Sequence, residues 1–394
     1  MHTDVQSETR PMEQLRKITW ALLEHSTPPH SLRAEIAELT KIFGDAQIAL
    51  NTWHEKMSGV EFRTSDGLAI SPTLAMNCAD DFVRTTKFLR GIYDAIGEIR
   101  KRFPSRPAQI LYVGCGPYAT LAVPLMSVIS PGVATFTLLD VQPQCTRSVK
   151  SIVAALGLND HVSSINTMNA MSYRVSAENP PDVILMEIMQ ACLESEPQVA
   201  ITRHLVKQAP HAILIPEEVR VDIKLLDPSL EIGIDSFEQH SSPVHGDRTS
   251  VAPVFTVNRH TVKSWDNLRS DHLPASLVRI PDTLEQRYQP MLFTTIHVYG
   301  NHILTEYDCG LTCPRLPSVE GKFRPGSRIQ FQYLLGSRPR LRGKVLDRTR
   351  SQVESEVHIP RGGPVMRSRA QSIDKIFLLH YSNVRIQLKL DRIK

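Results

Sequence analysis

Nowhere does the sequence stay apolar for the roughly eighteen residues that a membrane helix needs, and its start, Met-His-Thr-Asp, has no basic segment followed by an apolar one. The six cysteines, at 78, 115, 145, 192, 309 and 313, make no disulfide framework. These absences exclude a membrane span and a secreted disulfide scaffold, and they make a reducing cytoplasm the expectation. An excess of one charge is also missing. Forty-five basic side chains face 41 acidic ones for a net +4, so no nucleic-acid partner is expected. Metal-ligand spacing is lacking too. Cys309 and Cys313 are spaced C-x3-C, but Leu316 stands where a third cysteine would complete a cradle, and no histidines sit at useful intervals. No metal is expected, and these two are read as free thiols near a strand end.

The 394 residues that remain to be explained are long for one domain, and their texture changes twice. Residues 1–105 read as a helical lid region. Leu15, Ile18, Leu22 and Leu23, then Leu32, Ile36, Leu39 and Ile42, recur at helical spacing. A turn at Ser65-Asp66-Gly67 follows, and then an amphipathic helix over Asp81–Ile96. Residues 106–226 alternate short apolar runs (Ile110–Val113, Thr135–Leu139, Val183–Leu185, Ile213–Ile215) with helical stretches at Tyr118–Ile129, Gln144–Leu156 and Glu196–Lys207. Runs apolar on both faces and separated by helices describe an α/β, doubly wound, mainly parallel sheet. Residues 227–394 read as a β-rich, antiparallel C-terminal domain. Arg328–Tyr333 and Val384–Leu390 each place an apolar residue at every second position. Residues 227–290, rich in Ser, His, Asp and Pro, read as a connection or arm without an assigned place. The basic stretch Arg338, Arg340, Arg342, Lys344, Arg348 and Arg350 reads as a wet hairpin face.

The strand Ile110–Val113 runs straight into Gly114-Cys115-Gly116-Pro117 and then a helix. Glycine at both positions permits a tight turn and lets a ligand approach the main chain. Asp140 ends the next strand, where a carboxylate accepts the hydroxyls of a ribose. The third glycine of a dinucleotide fingerprint is replaced by Ala119. A pyrophosphate wants that third close approach, whereas a sulfonium nucleoside has no phosphate to cradle. S-adenosylmethionine is therefore the expected cofactor, ahead of NAD.

Three stretches together resemble one family, the class I methyltransferases of the protein arginine methyltransferase type. Asp81-Phe82-Val83-Arg84-Thr85 resembles its D-x-V-R-T segment, which implies that Arg84 grips the carboxylate of the cofactor's methionine part. Val113-Gly114-Cys115-Gly116 with Asp140 forms the second stretch, with Tyr112 where that family has an acidic residue. Leu185–Gln190 followed by Glu194-Ser195-Glu196 resembles its double-glutamate loop, with Glu187 and Glu196 nine positions apart. Glu194 reads as a carboxylate near a helix N-terminus. The resemblance covers about residues 65–225, and the C-terminal third fits that family's barrel in order and texture only. No Thr-His-Trp loop is present; the tryptophans are Trp20, Trp53 and Trp265.

The expected site is therefore Glu187 and Glu196 as catalytic carboxylates, with Arg84, Gly114, Cys115, Gly116, Asp140, Met168, Asn169 and Glu187 around the cofactor. Two close carboxylates cannot both stay ionised easily, so one should have a raised pKa and accept a proton from an amine or guanidine-like nucleophile. The expected acceptor is a small molecule or a peptide, and a homodimer is left open. Two other readings use the same residues. One transfers or cyclises the cofactor's aminocarboxypropyl chain, releasing methylthioadenosine. The other is a non-catalytic scaffold that binds S-adenosylmethionine.

Overall fold

The computed structural model describes residues 5–49, 59–228 and 248–346. The chain opens with helices α1 (Val5–Leu23) and α2 (Arg33–Ala49). Leu15, Leu22, Ile36, Leu39 and Phe43 are all buried, so the helical spacing does define the inward faces. The expected turn at Ser65-Asp66-Gly67 joins two short strands, β1 (Phe62–Arg63) and β2 (Leu68–Ala69). Then come α3 (Pro72–Cys78), capped by the Ser71 hydroxyl, and α4 (Phe82–Arg102), capped by the Asp81 carboxylate. Helix α4 runs further than its apolar spacing suggested. Its last turn carries Arg100, Lys101 and Arg102, cations that suit the negative end of the helix dipole.

The central layer is a five-stranded parallel sheet. Its strands are β3 (Ala108–Val113), β4 (Ala134–Asp140), β5 (Val162–Thr167), β6 (Val183–Met186) and β7 (Ile213–Ile215), in the order β5-β4-β3-β6-β7. Four of them match the apolar runs of the sequence. Edge strand β5 gave no such signal because Ser163, Ser164 and Asn166 interrupt it. The crossover helices are α5 (Val123–Val128), α6 (Pro143–Ala155) and α7 (Gln198–Gln208). Helix α5 is much shorter than the expected Tyr118–Ile129. Ala119 takes a left-handed φ of 44°, which no helix can contain, and Pro124 fits only a first turn. Helix α1 packs on α4 and α5, and α2 packs on α6, so the N-terminal helices lie against one face of this layer.

The remaining strands are β8 (Glu218–Leu226), β9 (Thr249–Asn258), β10 (His272–Arg279), β11 (Gln289–Tyr299), β12 (His302–Leu304), β13 (Val319–Glu320), β14 (Arg328–Leu334) and β15 (Arg340–Leu346). They form two four-stranded sheets, β12-β11-β8-β9 and β10-β14-β15-β13, antiparallel except where β13 runs parallel to β15. A barrel-like closure was expected, but among the described residues none is found. Strands β9 and β10 run close to each other without a ladder between them. Phe255 of β9 stacks on Tyr333 of β14 at 4.7 Å between ring centroids, binding one sheet to the other. The segment that had no assigned place thus supplies β9, β10 and the start of β11, with residues 229–247 outside the described part. Arg342 and Lys344 of the basic stretch are exposed on β15, alternating with buried Leu341 and Gly343, as a wet face requires. Arg348, Arg350, Trp53 and the Val384–Leu390 strand lie outside the described residues.

Candidate active site

Strand order reverses at β3, whose neighbours are β4 on one side and β6 on the other. The crevice at the carboxyl ends of β3 and β6 is where an open α/β sheet binds its ligand. The two loops that leave those ends carry Gly114–Pro117 and Glu187–Glu196.

Gly114 has φ 68°, and a Cβ there would lie 2.1 Å from Ile188 Cγ2. Only glycine fits this turn, for conformational and for spatial reasons. Its N–H and that of Cys115 both donate to Leu139 O, at 2.8 and 3.0 Å, which ties the loop to the end of β4. Asp140 is almost fully buried. One of its carboxylate oxygens accepts the Gly116 N–H at 2.9 Å and the other accepts the Gln142 N–H at 2.8 Å. Burial raises its pKa, opposed by those two bonds and by the Cys145 thiol. The Cys145 thiol and the Val141 N–H also bond this carboxylate, so it sits at the centre of a cluster of donors. Met168 and Asn169 lie just past β5. The Met168 N–H donates to Asp140 O at 2.9 Å, and Asn169 Oδ1 accepts from the Met171 N–H. Cys115 is buried with a thiol pKa well above its ordinary value, the result of desolvation and then of Asp140. That environment makes it an inert packing group. Tyr112 is buried in β3 with its hydroxyl bonded to the Leu121 backbone, so its polar end is engaged in the core.

Arg84 sits in the first turn of α4 and is buried. Its guanidinium donates to Cys78 O at 2.5 Å and to Glu187 Oε1 at 3.4 Å, with Asp81 Oδ2 at 3.9 Å. Burial works against its charge, yet Glu187, Cys78 and Asp81 hold its pKa well above the ordinary value. It is a permanent cation. Its charge reaches the first glutamate directly.

Glu196 is the second glutamate, and it is buried. Desolvation, then the charge of Glu187, push its carboxyl up to about 8, against the pull of Arg84 and a hydrogen bond from Gln190. Glu187 is also raised, by burial, with Arg84 opposing. One carboxylate paired with the arginine and another close to neutrality is the asymmetric pair expected of two acids in one pocket.

The loop between them is strained. Cys192, Leu193 and Ser195 have φ of 59°, 60° and 65°. A left-handed conformation costs a non-glycine residue roughly 1–2 kcal/mol. Surrounding elements hold it in place. Thr294 Oγ1 of β11 accepts the Cys192 N–H at 2.8 Å, and the Tyr333 hydroxyl of β14 donates to Leu193 O at 2.6 Å. Pro339 O accepts the Ser195 N–H at 2.8 Å, and Ser195 O accepts from Leu68 of β2 at 2.7 Å. At Gly67 a Cβ would meet Pro197 N at 2.8 Å, so glycine lets the β1–β2 turn press against Glu196 and Pro197. Four contacts from separate elements thus hold the strained backbone in place. Glu194 lies in this loop ahead of α7, which is capped at Pro197, so it falls short of the helix's first turn.

Several contacts around the site carry no signal in the sequence. Asp81 receives the Arg84 N–H at 3.3 Å and the Gly310 N–H at 3.2 Å, so the 3-10 turn Gly310–Thr312 docks on the arginine segment. Cys309, at the start of that turn, and Cys78 are unbridged thiols near Arg84; burial raises both. Only the folded chain joins residues more than two hundred positions apart.

Strand order and loop placement define an open, doubly wound α/β fold, with a helical N-terminal region and a β-rich C-terminal part. No protein-family model matches the chain, and no curated protein matches it in sequence. The solved structures that resemble it include the following two. One is the Trypanosoma brucei PRMT1 enzyme–prozyme heterotetrameric complex with AdoHcy, 16% identical, covering 66% of this chain and 87% of that one at a TM-score of 0.43. The other is Arabidopsis thaliana protein arginine methyltransferase 10 in an open conformation, 11% identical, covering 66% and 86% at a TM-score of 0.42.

Proposed function

We propose that the protein is an S-adenosylmethionine-dependent methyltransferase acting on a nitrogen nucleophile, an amine or a guanidine-like group of a small molecule or peptide. The observation that carries this reading is the Arg84–Glu187–Glu196 constellation at the sheet's switch point, with Arg84 and Glu196 buried, Glu187 half-buried and Glu196 raised to about 8. A methyl donor needs an acceptor held in line and relieved of its proton, and two unlike carboxylates serve that purpose.

The residues present fit the cofactor. Asp140 offers carboxylate oxygens to ribose hydroxyls beside the Gly114–Gly116 turn, and Arg84 offers a fork of N–H groups to a carboxylate. Met168 and Asn169 flank the same edge. Once bound, S-adenosylmethionine supplies an electrophilic methyl group on a sulfonium. The chain's own part is then positional. Glu187, fixed by Arg84, would accept one N–H of the nucleophile, and Glu196 would accept another and take up its proton. A cationic acceptor lowers the pKa of Glu196 on binding, because opposite charge favours the ionised form.

Incubation with labelled S-adenosylmethionine and cell extract tests this, with the released nucleoside as readout. S-adenosylhomocysteine is the expected product. Methylthioadenosine would instead establish transfer of the alkyl chain, and no release with intact binding would establish a scaffold.

A further inference from the structure

We propose a second site, away from the sheet edge: His25, Asp94 and His302 bind a divalent transition-metal ion of the zinc type. The three come from separate elements, namely the loop after α1, the middle of α4 and the first residue of β12. Their donor atoms all lie within 4.8 Å of one another. Each oxygen of Asp94 faces a different imidazole. His302 Nε2 is 2.8 Å from Oδ2, and His25 Nε2 is 3.7 Å from Oδ1. The two rings stand edge-on at 5.1 Å between centroids, which aims both at the same carboxylate.

The donor set selects the ion. Two neutral imidazoles and one carboxylate carry a net charge of −1 and suit Zn2+ and its neighbours, whereas Mg2+ and Ca2+ prefer all-oxygen shells. Zinc bonds of about 2.0–2.2 Å in a tetrahedron put ligand atoms roughly 3.3 Å apart. Donors 2.8 to 4.8 Å apart reach that spacing by small side-chain rotations. The side chains of His25 and Asp94 are 52% and 39% exposed, so they can rotate and a fourth ligand can enter from solvent.

The loop that carries His25, the most exposed of the three, is anchored. The guanidinium of Arg90, one helical turn before Asp94 on α4, is buried and donates to Leu22 O at 2.7 Å, Glu24 O at 2.6 Å and Thr27 O at 2.9 Å. The loop that carries His25 is thus held against the helix that carries Asp94 before any ion arrives. On the other side, His302 pairs with Tyr299 across the β11–β12 turn. An ion here clamps the N-terminal loop and the β-hairpin onto α4, about 15 Å along the helix axis from Arg84.

Titration of the metal-free full chain with Zn2+, followed by calorimetry, tests the site, with Co2+ as a spectroscopic stand-in. The expected result is one saturable site, intense visible Co2+ bands of a low-coordinate complex, and a melting temperature raised by about 5 °C at a hundredfold excess over Kd. His25→Ala, Asp94→Asn and His302→Ala should each weaken binding at least about tenfold. His25 and Asp94 are exposed enough that their variants will fold, and melts without metal verify it. Absence of saturable binding, or undiminished affinity in the His25→Ala and Asp94→Asn variants, overturns the proposal.

Discussion

Arg84 Nη1 and Glu187 Oε1 stand 3.4 Å apart, and this contact joins the first turn of α4 to the end of β6. The arginine therefore has two tasks in the proposed site: holding the cofactor carboxylate and fixing the first glutamate. Arg84→Lys keeps the charge but loses the fork, and an ammonium cannot make two parallel bonds. Affinity for S-adenosylmethionine, measured by calorimetry, should fall by about tenfold, the worth of one charge-assisted hydrogen bond. Equal affinity would restrict Arg84 to the glutamate.

At Asp140 two effects need separating, because the carboxylate supports the Gly116 and Gln142 N–H groups as well as facing a ribose. Asp140→Ala should lower the affinity for S-adenosylhomocysteine by roughly 1–3 kcal/mol. Asp140→Asn keeps one acceptor oxygen and should lose less. NAD should bind neither the wild type nor the variants. A wild-type-like Kd for Asp140→Ala would remove the ribose role.

The raised pKa of Glu196 predicts how stability depends on pH. A carboxyl ionising near 4.5 in the unfolded chain and near 8 in the folded one binds more protons when folded across that window. Its contribution is complete below about 4.5 and is lost as pH rises through 8. The melting temperature should therefore decline between pH 6 and pH 9, and Glu196→Gln should flatten the decline. Parallel slopes for wild type and variant would show that Glu196 ionises normally.

How far the sequence reaches can be seen at individual residues. Strands β3 and β4 were legible because Ile110, Leu111, Phe136 and Leu138 face packed layers on both sides. Strand β8 alternates Val219, Val221, Ile223 and Leu225, all buried, but it begins three residues after β7, so the change of sheet inside residues 213–226 had no marker. Glu187 and Glu196 were singled out by their resemblance to a double-glutamate loop, and the fold sets both at the carboxyl end of β6. Their fixation by Thr294, Tyr333 and Pro339 was not legible, since it depends on strands more than a hundred positions away. Ala119 gave half of the truth. It lacks glycine's freedom, yet the backbone still takes the left-handed turn there, under complete burial. The metal candidate was invisible for the same reason as the loop anchors: His25, Asp94 and His302 meet only after folding.

The glutamate pair exposes the functional proposal most directly. Glu187→Gln and Glu196→Gln keep shape and most hydrogen-bonding capacity while removing charge. Cofactor affinity should change little for Glu196→Gln, whose side chain is bonded by Gln190 and not by the glycine turn or Asp140. For Glu187→Gln it should rise modestly or hold, because Arg84 is then released from its ion pair. Turnover should nevertheless fall by about two to four orders of magnitude in each, since orientation and proton acceptance are both lost. The pH profile separates the two roles. Wild-type kcat should climb with pH until Glu196 is ionised in the complex, and Glu196→Gln should abolish that limb while Glu187→Gln leaves it in place. Melting curves run alongside exclude a folding defect, which the strained Cys192–Ser195 segment makes a necessary control. If both variants are stable and turn over normally with the true acceptor, the carboxylates do not hold the nucleophile, and a nitrogen acceptor loses its support.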